Sequence, residues 1–165
     1  MKRIDLGCKD HKKEGFTGID VVPGSDVDVV HDLNKGIPFK DGEVDEVFAS
    51  HFLEHVDNPV LMVQEIYRVL KKGGKATIIV PHFSNPGAYT PLHKTYWSYN
   101  AVNAHALKYY FDVDFSAVKV RLNSKFLAFI GINKLVNLLI NICPIVYERY
   151  LRILMVDEVV VRLVK

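Results

Sequence analysis

Polar side chains follow the predicted strands in the N-terminal half of the chain. Asp5 ends the first predicted strand, Asp20 stands at the tip of the second, and Asp32 follows the third. Ser50 and His51 follow the fourth. A carboxylate at the tip of a second strand can accept hydrogen bonds from both vicinal hydroxyl groups of a ribose. One acid beside a turn is usually a turn former, but this ordered series indicates a ligand site.

The elements that must position these side chains alternate between strands and helices or loops. Such alternation predicts an α/β fold with an open, mostly parallel sheet, in which ligands bind beyond the carboxyl ends of the strands. The predicted strands are 2–6, 16–21, 26–30, 44–49, 75–80, 113–122 and 156–164, and the predicted helices are 59–72 and 100–107. A helical insertion is predicted at about 123–155.

Length and composition limit the class of protein. A chain of 165 residues predicts a single domain spanning 1–165. Its net charge of +2 gives no strong sign of nucleic-acid binding. Two cysteines exclude a disulfide framework and a cysteine-rich zinc module. The first residues lack the apolar stretch of a signal peptide, so a cytoplasmic location is predicted.

Residues 126–147 are mostly apolar, but they do not form a typical membrane span. Asn133, Asn137 and Asn141 are four residues apart and would form one polar stripe on a helix, and Pro144 ends the run. The segment therefore predicts an amphipathic helix rather than a transmembrane one. Its apolar residues exceed what one packing stripe needs. Four roles stay open for them: cover of the core, a homodimer or partner contact through 123–155, an apolar substrate channel, and contact with a membrane surface.

Four segments together are similar to one known family. They are IDLGC at 4–8, GID at 18–20, the stretch from HDLN to LEHV at 31–56, and the stretch from NPVL to IIVP at 58–81. On these motifs the sequence resembles the class I S-adenosylmethionine-dependent methyltransferases of the small methyltransferase-domain type. The resemblance implies a Rossmann-like fold with a seven-stranded, mostly parallel sheet whose last strand is antiparallel. It also implies methyl transfer from S-adenosylmethionine to an O, N or C acceptor, with S-adenosylhomocysteine as the product.

The resemblance also implies which residues bind the cofactor. Asp5 and Gly7 would lie near its methionine portion, and Asp20 would hold the ribose. The full set of implied cofactor-binding residues is Asp5, Gly7, Cys8, Asp20, Val21, Asp32, Leu33, Ser50 and His51. Of these, Asp32 and Leu33 would lie near the adenine. The acceptor would lie against the loop from 82 to 97, where His82 and His93 are the candidate catalytic bases, and loop hydrogen bonding is the alternative for both.

Two departures from the family pattern affect the expected site. Lys9 and His11 stand where members usually have glycines, which would narrow the pocket. The connection from Gly7 to Phe16 is too short for a full crossover helix, so the first helix is predicted to be shortened or missing. These departures keep a second function open, namely a non-catalytic cofactor-fold subunit with a degenerate site that serves in binding or scaffolding.

The segment His51–Phe52–Leu53–Glu54–His55 matches the zinc motif H-x-x-E-H. That motif needs a substantial helix, because two histidines four apart must share one face. Asp57–Asn58–Pro59 ends the segment within a turn, and no downstream acid stands out as a third ligand. No metal site is therefore predicted from the sequence.

Overall fold

The structure is a computed structural model that describes residues 1–125, 133–150 and 155–165, and within the second range it does not describe the side chain of Tyr150. The predicted insertion at 123–155 thus lies partly outside the described residues, and the assignment of one domain stays a prediction. The strands are β1 (Arg3–Leu6), β2 (Thr17–Asp20), β3 (Val29–Val30), β4 (Val44–Ser50), β5 (Leu70–Pro81), β6 (Ala117–Asn123) and β7 (Glu158–Val164). The helices are α1 (Pro59–Val69), α2 (Tyr99–Val102), α3 (Ala104–Phe111), α4 (Asn133–Ile142) and α5 (Pro144–Tyr150).

The described strands form one sheet in the order β3-β2-β1-β4-β5-β7-β6. Neighbours from β3 to β5 pair in parallel, whereas β7 is antiparallel to both β5 and β6. Ile4 and Leu6 of the central β1 are fully buried, as expected for a strand covered on both faces. The sheet confirms the predicted seven strands and the antiparallel last strand.

The connection from β1 to β2 contains no helix. Residues 7–16 run as turns and irregular chain, and the chain enters β2 directly after Phe16. Gly7 has a φ of +68°, and a Cβ atom built there would lie 2.4 Å from Cδ2 of Phe52. A glycine is therefore required at this position, because any side chain would collide with the Phe52 ring. The prediction of a shortened or missing first helix is confirmed.

Helix α1 begins as predicted but ends earlier. The Asn58 side chain accepts a hydrogen bond from the Leu61 amide, and Pro59 occupies the first turn. The helix ends at Val69, so the predicted end at residue 72 is wrong. Leu70 already pairs with Val44 of β4, and pairing with the neighbouring strand competes with another helical turn. Gly73 adopts the left-handed conformation (φ +77°) inside the β5 segment rather than at the helix end.

Helix α4 presents its polar stripe to the sheet. The Asn141 side chain pairs with both the amide (2.9 Å) and the carbonyl (2.7 Å) of Leu122 in β6, and Asn137 accepts from the Ser124 amide. β6 lies at the edge of the sheet, so these asparagines satisfy backbone groups that an edge strand leaves unpaired. The exposed large apolar side chains of this helix include Leu135, Leu138, Leu139 and Ile142. In the described chain, no helix has the length and apolar character needed to cross a membrane.

Candidate cofactor cleft

A cleft of about 300 Å³ opens at the carboxyl ends of β1, β2 and β4. Its volume is at the small end of the range for ligand sites, roughly 300–1,000 Å³. The residues that line it are Gly7, Lys9, Asp20, Val21, His31, Asp32, Leu33, Asn34, His51, Phe52, His55 and Val56. Six of the residues predicted to bind a cofactor are among them: Gly7, Asp20, Val21, Asp32, Leu33 and His51.

Asp20 ends β2, and its carboxylate accepts hydrogen bonds from two backbone amides. Oδ2 accepts a hydrogen bond from the Lys9 amide (3.0 Å), and Oδ1 accepts one from the Val22 amide (3.0 Å). A carboxylate has about four acceptor positions, so each oxygen keeps a second one. The side chain is half-buried, and it can accept further hydrogen bonds from a ligand in the cleft.

Lys9 adopts a left-handed conformation at the position where the family pattern has a glycine. Its φ is +46°, a region that non-glycine residues seldom adopt. The Lys9 amide donates a hydrogen bond to the Asp20 carboxylate, and Lys9 lines the cleft. The backbone here therefore keeps a shape suited to glycine, although the residue is an exposed lysine.

One wall of the cleft is formed by the turn after β3. Asp32 caps a short 3₁₀ helix (Leu33–Lys35) by accepting a hydrogen bond from the Asn34 amide (3.1 Å). Leu33 is largely buried and joins the core, but part of it lines the cleft. His31 is fixed by a 3.0 Å hydrogen bond from Nε2 to the Gly36 carbonyl. This wall thus offers one carboxylate, one imidazole and an apolar surface.

His51 connects the cleft with two acidic side chains. It has a φ of +51°, which turns the chain sharply at the end of β4. Nδ1 lies 3.3 Å from Oε1 of Glu54, and Nε2 lies 3.6 Å from Oε1 of Glu158. The Glu54 carboxylate, with Glu158 as a further contribution, raises the pKa of His51.

Three predicted cofactor-binding residues lie outside the lining of this cleft. The Asp5 carboxylate is buried and accepts from the Lys13 amide (2.7 Å), and burial raises its pKa to about 6. Cys8 donates to the Asp26 carbonyl (3.5 Å), and burial raises the pKa of its thiol to about 11. Ser50, at the end of β4, is half-buried. Asp5 and Cys8 therefore fix the loop that replaces the first helix.

The two histidines predicted as catalytic bases also lie outside this lining. His82 is fully buried: Nε2 lies 3.1 Å from Glu148, and Nδ1 accepts from the Ser84 amide (3.2 Å). His93 is half-buried, and its Nδ1 donates to the Ala88 carbonyl at 2.9 Å. A catalytic role for either histidine stays a prediction.

Residues 51–58 form turns rather than a helix. His51 and His55 therefore do not share a helix face, and the arrangement of an H-x-x-E-H metallopeptidase is not formed. The tight turning instead brings Phe52, His55 and Val56 to the cleft. Sequence reasoning missed these three residues, together with His31 and Asn34, although each lies within a few positions of a residue that it named.

Comparison with known proteins finds similarity to one family in sequence and in fold. Residues 9–78 match the family model of the methyltransferase domain. A solved S-adenosylmethionine-dependent methyltransferase from Archaeoglobus fulgidus shares the fold, with a TM-score of 0.65 and 22% sequence identity over 99% of this chain and 86% of that one. The resemblance inferred from the sequence is confirmed, and the class I methyltransferase fold extends over the described chain.

Two curated proteins match parts of this chain. Uncharacterized protein MJ1123 of Methanocaldococcus jannaschii is 40% identical over 52 residues, which is 32% of this chain and 25% of that protein. Demethylmenaquinone methyltransferase of Streptomyces griseus is 35% identical over 63 residues, 38% of this chain and 26% of that enzyme. The chain therefore matches about a quarter of the length of each relative.

Proposed function

We propose that the chain binds S-adenosylmethionine in the cleft and transfers its methyl group to an acceptor. The observation that carries the proposal is the Asp20 carboxylate, which lies in the cleft at the tip of β2 with acceptor capacity on both oxygens. A carboxylate at this point of a Rossmann-like sheet suits the two hydroxyl groups of a ribose. The family match of residues 9–78 supports the same ligand.

The other cleft residues fit the remaining parts of that ligand. Val21 and Leu33 offer an apolar surface for an adenine face, and the Asp32 carboxylate can accept from an exocyclic amine. Gly7, left-handed and packed against Phe52, lets the backbone approach the methionine portion closely. Asp5 acts indirectly in this proposal, since its carboxylate holds the Lys13 amide and thereby the loop from 7 to 16.

The bound cofactor supplies an electrophilic methyl group on a sulfonium. The chain contributes mainly position, because an acceptor held in line with the breaking bond needs little other assistance. We place the acceptor against residues 82–97, which extend from the carboxyl end of β5. Tyr89 and Tyr96 lie in this stretch with ring centroids 5.0 Å apart, and both are exposed.

A second candidate function is a cofactor-fold subunit that binds without catalysis. Two observations favour it: the Lys9 side chain stands at the position of a family glycine, and no helix follows β1. A helix in that connection would direct its free N-terminal amides toward an anionic group. Without it, the carboxylate of the methionine portion depends on single loop amides and on lysines such as Lys9.

Binding calorimetry with S-adenosylmethionine and S-adenosylhomocysteine tests the proposal. We expect micromolar affinity, about −8 kcal/mol. Asp20→Asn should weaken binding by about tenfold or more, because it removes the charge that strengthens hydrogen bonds from the ribose. Asp114→Ala is the matched control, since Asp114 is an exposed acid that pairs with Lys108 and lies outside the lining of the cleft. Absence of heat with both ligands would contradict cofactor binding, and binding without turnover would favour the second candidate.

Contact with a second copy or a partner through 123–155 also remains a proposal. Its support is the exposed aliphatic side chains of α4, which face away from the asparagines that hold β6. Residues 126–132 and 151–154 of this stretch lie outside the described residues. Sedimentation velocity of the wild type and of Leu138→Lys tests contact with a second copy. If the wild type is a dimer through this surface, Leu138→Lys should sediment as a monomer.

A further inference from the structure

The carboxylate of Glu54 is buried without a hydrogen-bond donor. The residue has no exposed surface, and no donor in the described part of the chain makes a hydrogen bond to Oε1 or Oε2. His51 lies 3.3 Å away, but its geometry is not that of a hydrogen bond. A buried carboxylate without donors is costly, so native structures pair such groups or use them to coordinate metals.

Two histidines close to this carboxylate each have a fixed tautomer. Nδ1 of His55 donates to the Leu92 carbonyl (3.2 Å), and Nδ1 of His93 donates to the Ala88 carbonyl (2.9 Å). A carbonyl oxygen only accepts, so in both neutral rings the proton is on Nδ1 and the lone pair is on Nε2. Metal-binding histidines characteristically donate their other ring nitrogen to a backbone carbonyl or a carboxylate.

The side chains of Glu54, His55 and His93 lie close together. One ligand atom each from Glu54, His55 and His93 lies within 4.8 Å of the others, and the two imidazole rings are 4.7 Å apart at 80°. A central point is then at most about 2.8 Å from each ligand atom, whereas zinc needs about 2.0–2.2 Å. Each side chain would have to move by less than about 1 Å. His55 is exposed and His93 half-buried, so such movements are available to them.

We propose that Glu54, His55 and His93 form a site for a divalent transition-metal ion, with Zn²⁺ as the best match. Two imidazoles and one carboxylate are a common zinc ligand set that leaves a fourth position open. This set differs from the H-x-x-E-H motif, because His51 is not a ligand and His93 comes from a distant segment.

The ion would connect a segment that lines the cleft with the segment where we place the acceptor. The Lys94 amide already donates to the Glu54 carbonyl (2.7 Å), which places residues 92–94 against residues 54–55. His55 lines the cleft, whereas His93 belongs to the stretch where we place the acceptor. A metal held by both would fix the acceptor side against the cofactor side, with its open position near the edge of the cleft.

Metal titration of the chelator-stripped chain, with no methyl donor present, tests this inference separately from the proposed activity. Zn²⁺ is titrated against a chromophoric chelator, and Co²⁺ is added as a spectroscopic probe whose visible absorption reports the coordination geometry. We expect one ion per chain with micromolar or tighter affinity. Loss of an outer hydrogen-bond partner alone typically costs 10–100-fold, so His55→Ala and His93→Ala should each weaken binding by about 100-fold or more.

His105→Ala is the matched control, because His105 is an exposed histidine on α3 outside the cluster. It should leave affinity and stoichiometry unchanged. Both test histidines have accessible surface, so their alanine variants should remain folded, which circular dichroism checks. The proposal is overturned if Zn²⁺ does not bind stoichiometrically, if either test variant binds like the wild type, or if His105→Ala weakens binding equally.

Discussion

Glu148 and Glu54 are both buried glutamates with a histidine nearby, yet the fold treats them differently. Glu148 accepts from His82 Nε2 at 3.1 Å, from the Tyr99 amide, and from the amide and side chain of Asn100. No donor in the described ranges makes a hydrogen bond to the Glu54 carboxylate. The folded chain alone satisfies Glu148, so that residue is structural. Glu54 has an ion pair with His51 but no hydrogen bond, and an external cation would supply the missing coordination.

The largest effect on stability is expected for Glu148, the carboxylate whose hydrogen bonds are satisfied within the fold. Glu148→Ala should lower the free energy of unfolding by about 3–5 kcal/mol, because it leaves the buried His82 imidazole and the amides of Tyr99 and Asn100 without their acceptor. Urea unfolding measures this change. Glu14→Ala, at an exposed acid, is the control and should stay within about 0.5 kcal/mol of the wild type. A small effect of Glu148→Ala would remove the contrast between the two glutamates.

Replacement of Glu54, the carboxylate without hydrogen bonds, is expected to change the free energy of unfolding in the opposite direction. In metal-free protein, Glu54→Met should raise the free energy of unfolding by about 1–2 kcal/mol, because a buried charge without donors is replaced by an apolar side chain of similar length. Added Zn²⁺ should stabilise the wild type but not this variant. Urea unfolding with and without zinc measures both effects, and destabilisation of the metal-free variant would show that Glu54 is satisfied by the fold.

Asp5 is intermediate, with one donor and a pKa raised by burial to about 6 from its ordinary value of 3.8. Between these values the native state binds more protons than the unfolded state, so this carboxyl lowers stability as pH rises from about 4 to about 6. Asp5→Asn lacks that titration. The difference in unfolding free energy, variant minus wild type, should increase across this window by about 3 kcal/mol at most. A difference independent of pH would contradict the raised pKa.

The N-terminal half could be predicted closely because its signals are local. Alternating strands and the short connection from Gly7 to Phe16 are visible in the chain, and so are the acids at the strand ends. The structure brings six of the nine predicted cofactor residues to one cleft. Asp5 and Cys8 lie within two positions of Gly7, which lines the cleft. Their own side chains are buried and make hydrogen bonds to backbone groups of Lys13 and Asp26.

The C-terminal half could not be predicted as well, because its side chains are positioned by distant partners. The asparagine stripe of α4 indicates a polar face, and the usual expectation is that such a face meets solvent. It faces β6 instead, since an edge strand offers unpaired backbone groups that amide side chains can satisfy. Likewise, the partner of His82 is Glu148, sixty-six positions away.

The sequence by itself determined the α/β order, the missing first helix and the position of Asp20, because periodicity, connection length and strand ends are properties of neighbouring residues. The antiparallel last strand was implied by the family resemblance. Only the tertiary structure decided which buried acids have partners. Glu54 and Glu148 are the same residue type in the chain, and their difference arises from which backbone amides and histidines the fold brings within hydrogen-bonding distance. The meeting of His55 with His93, thirty-eight positions later, has the same origin.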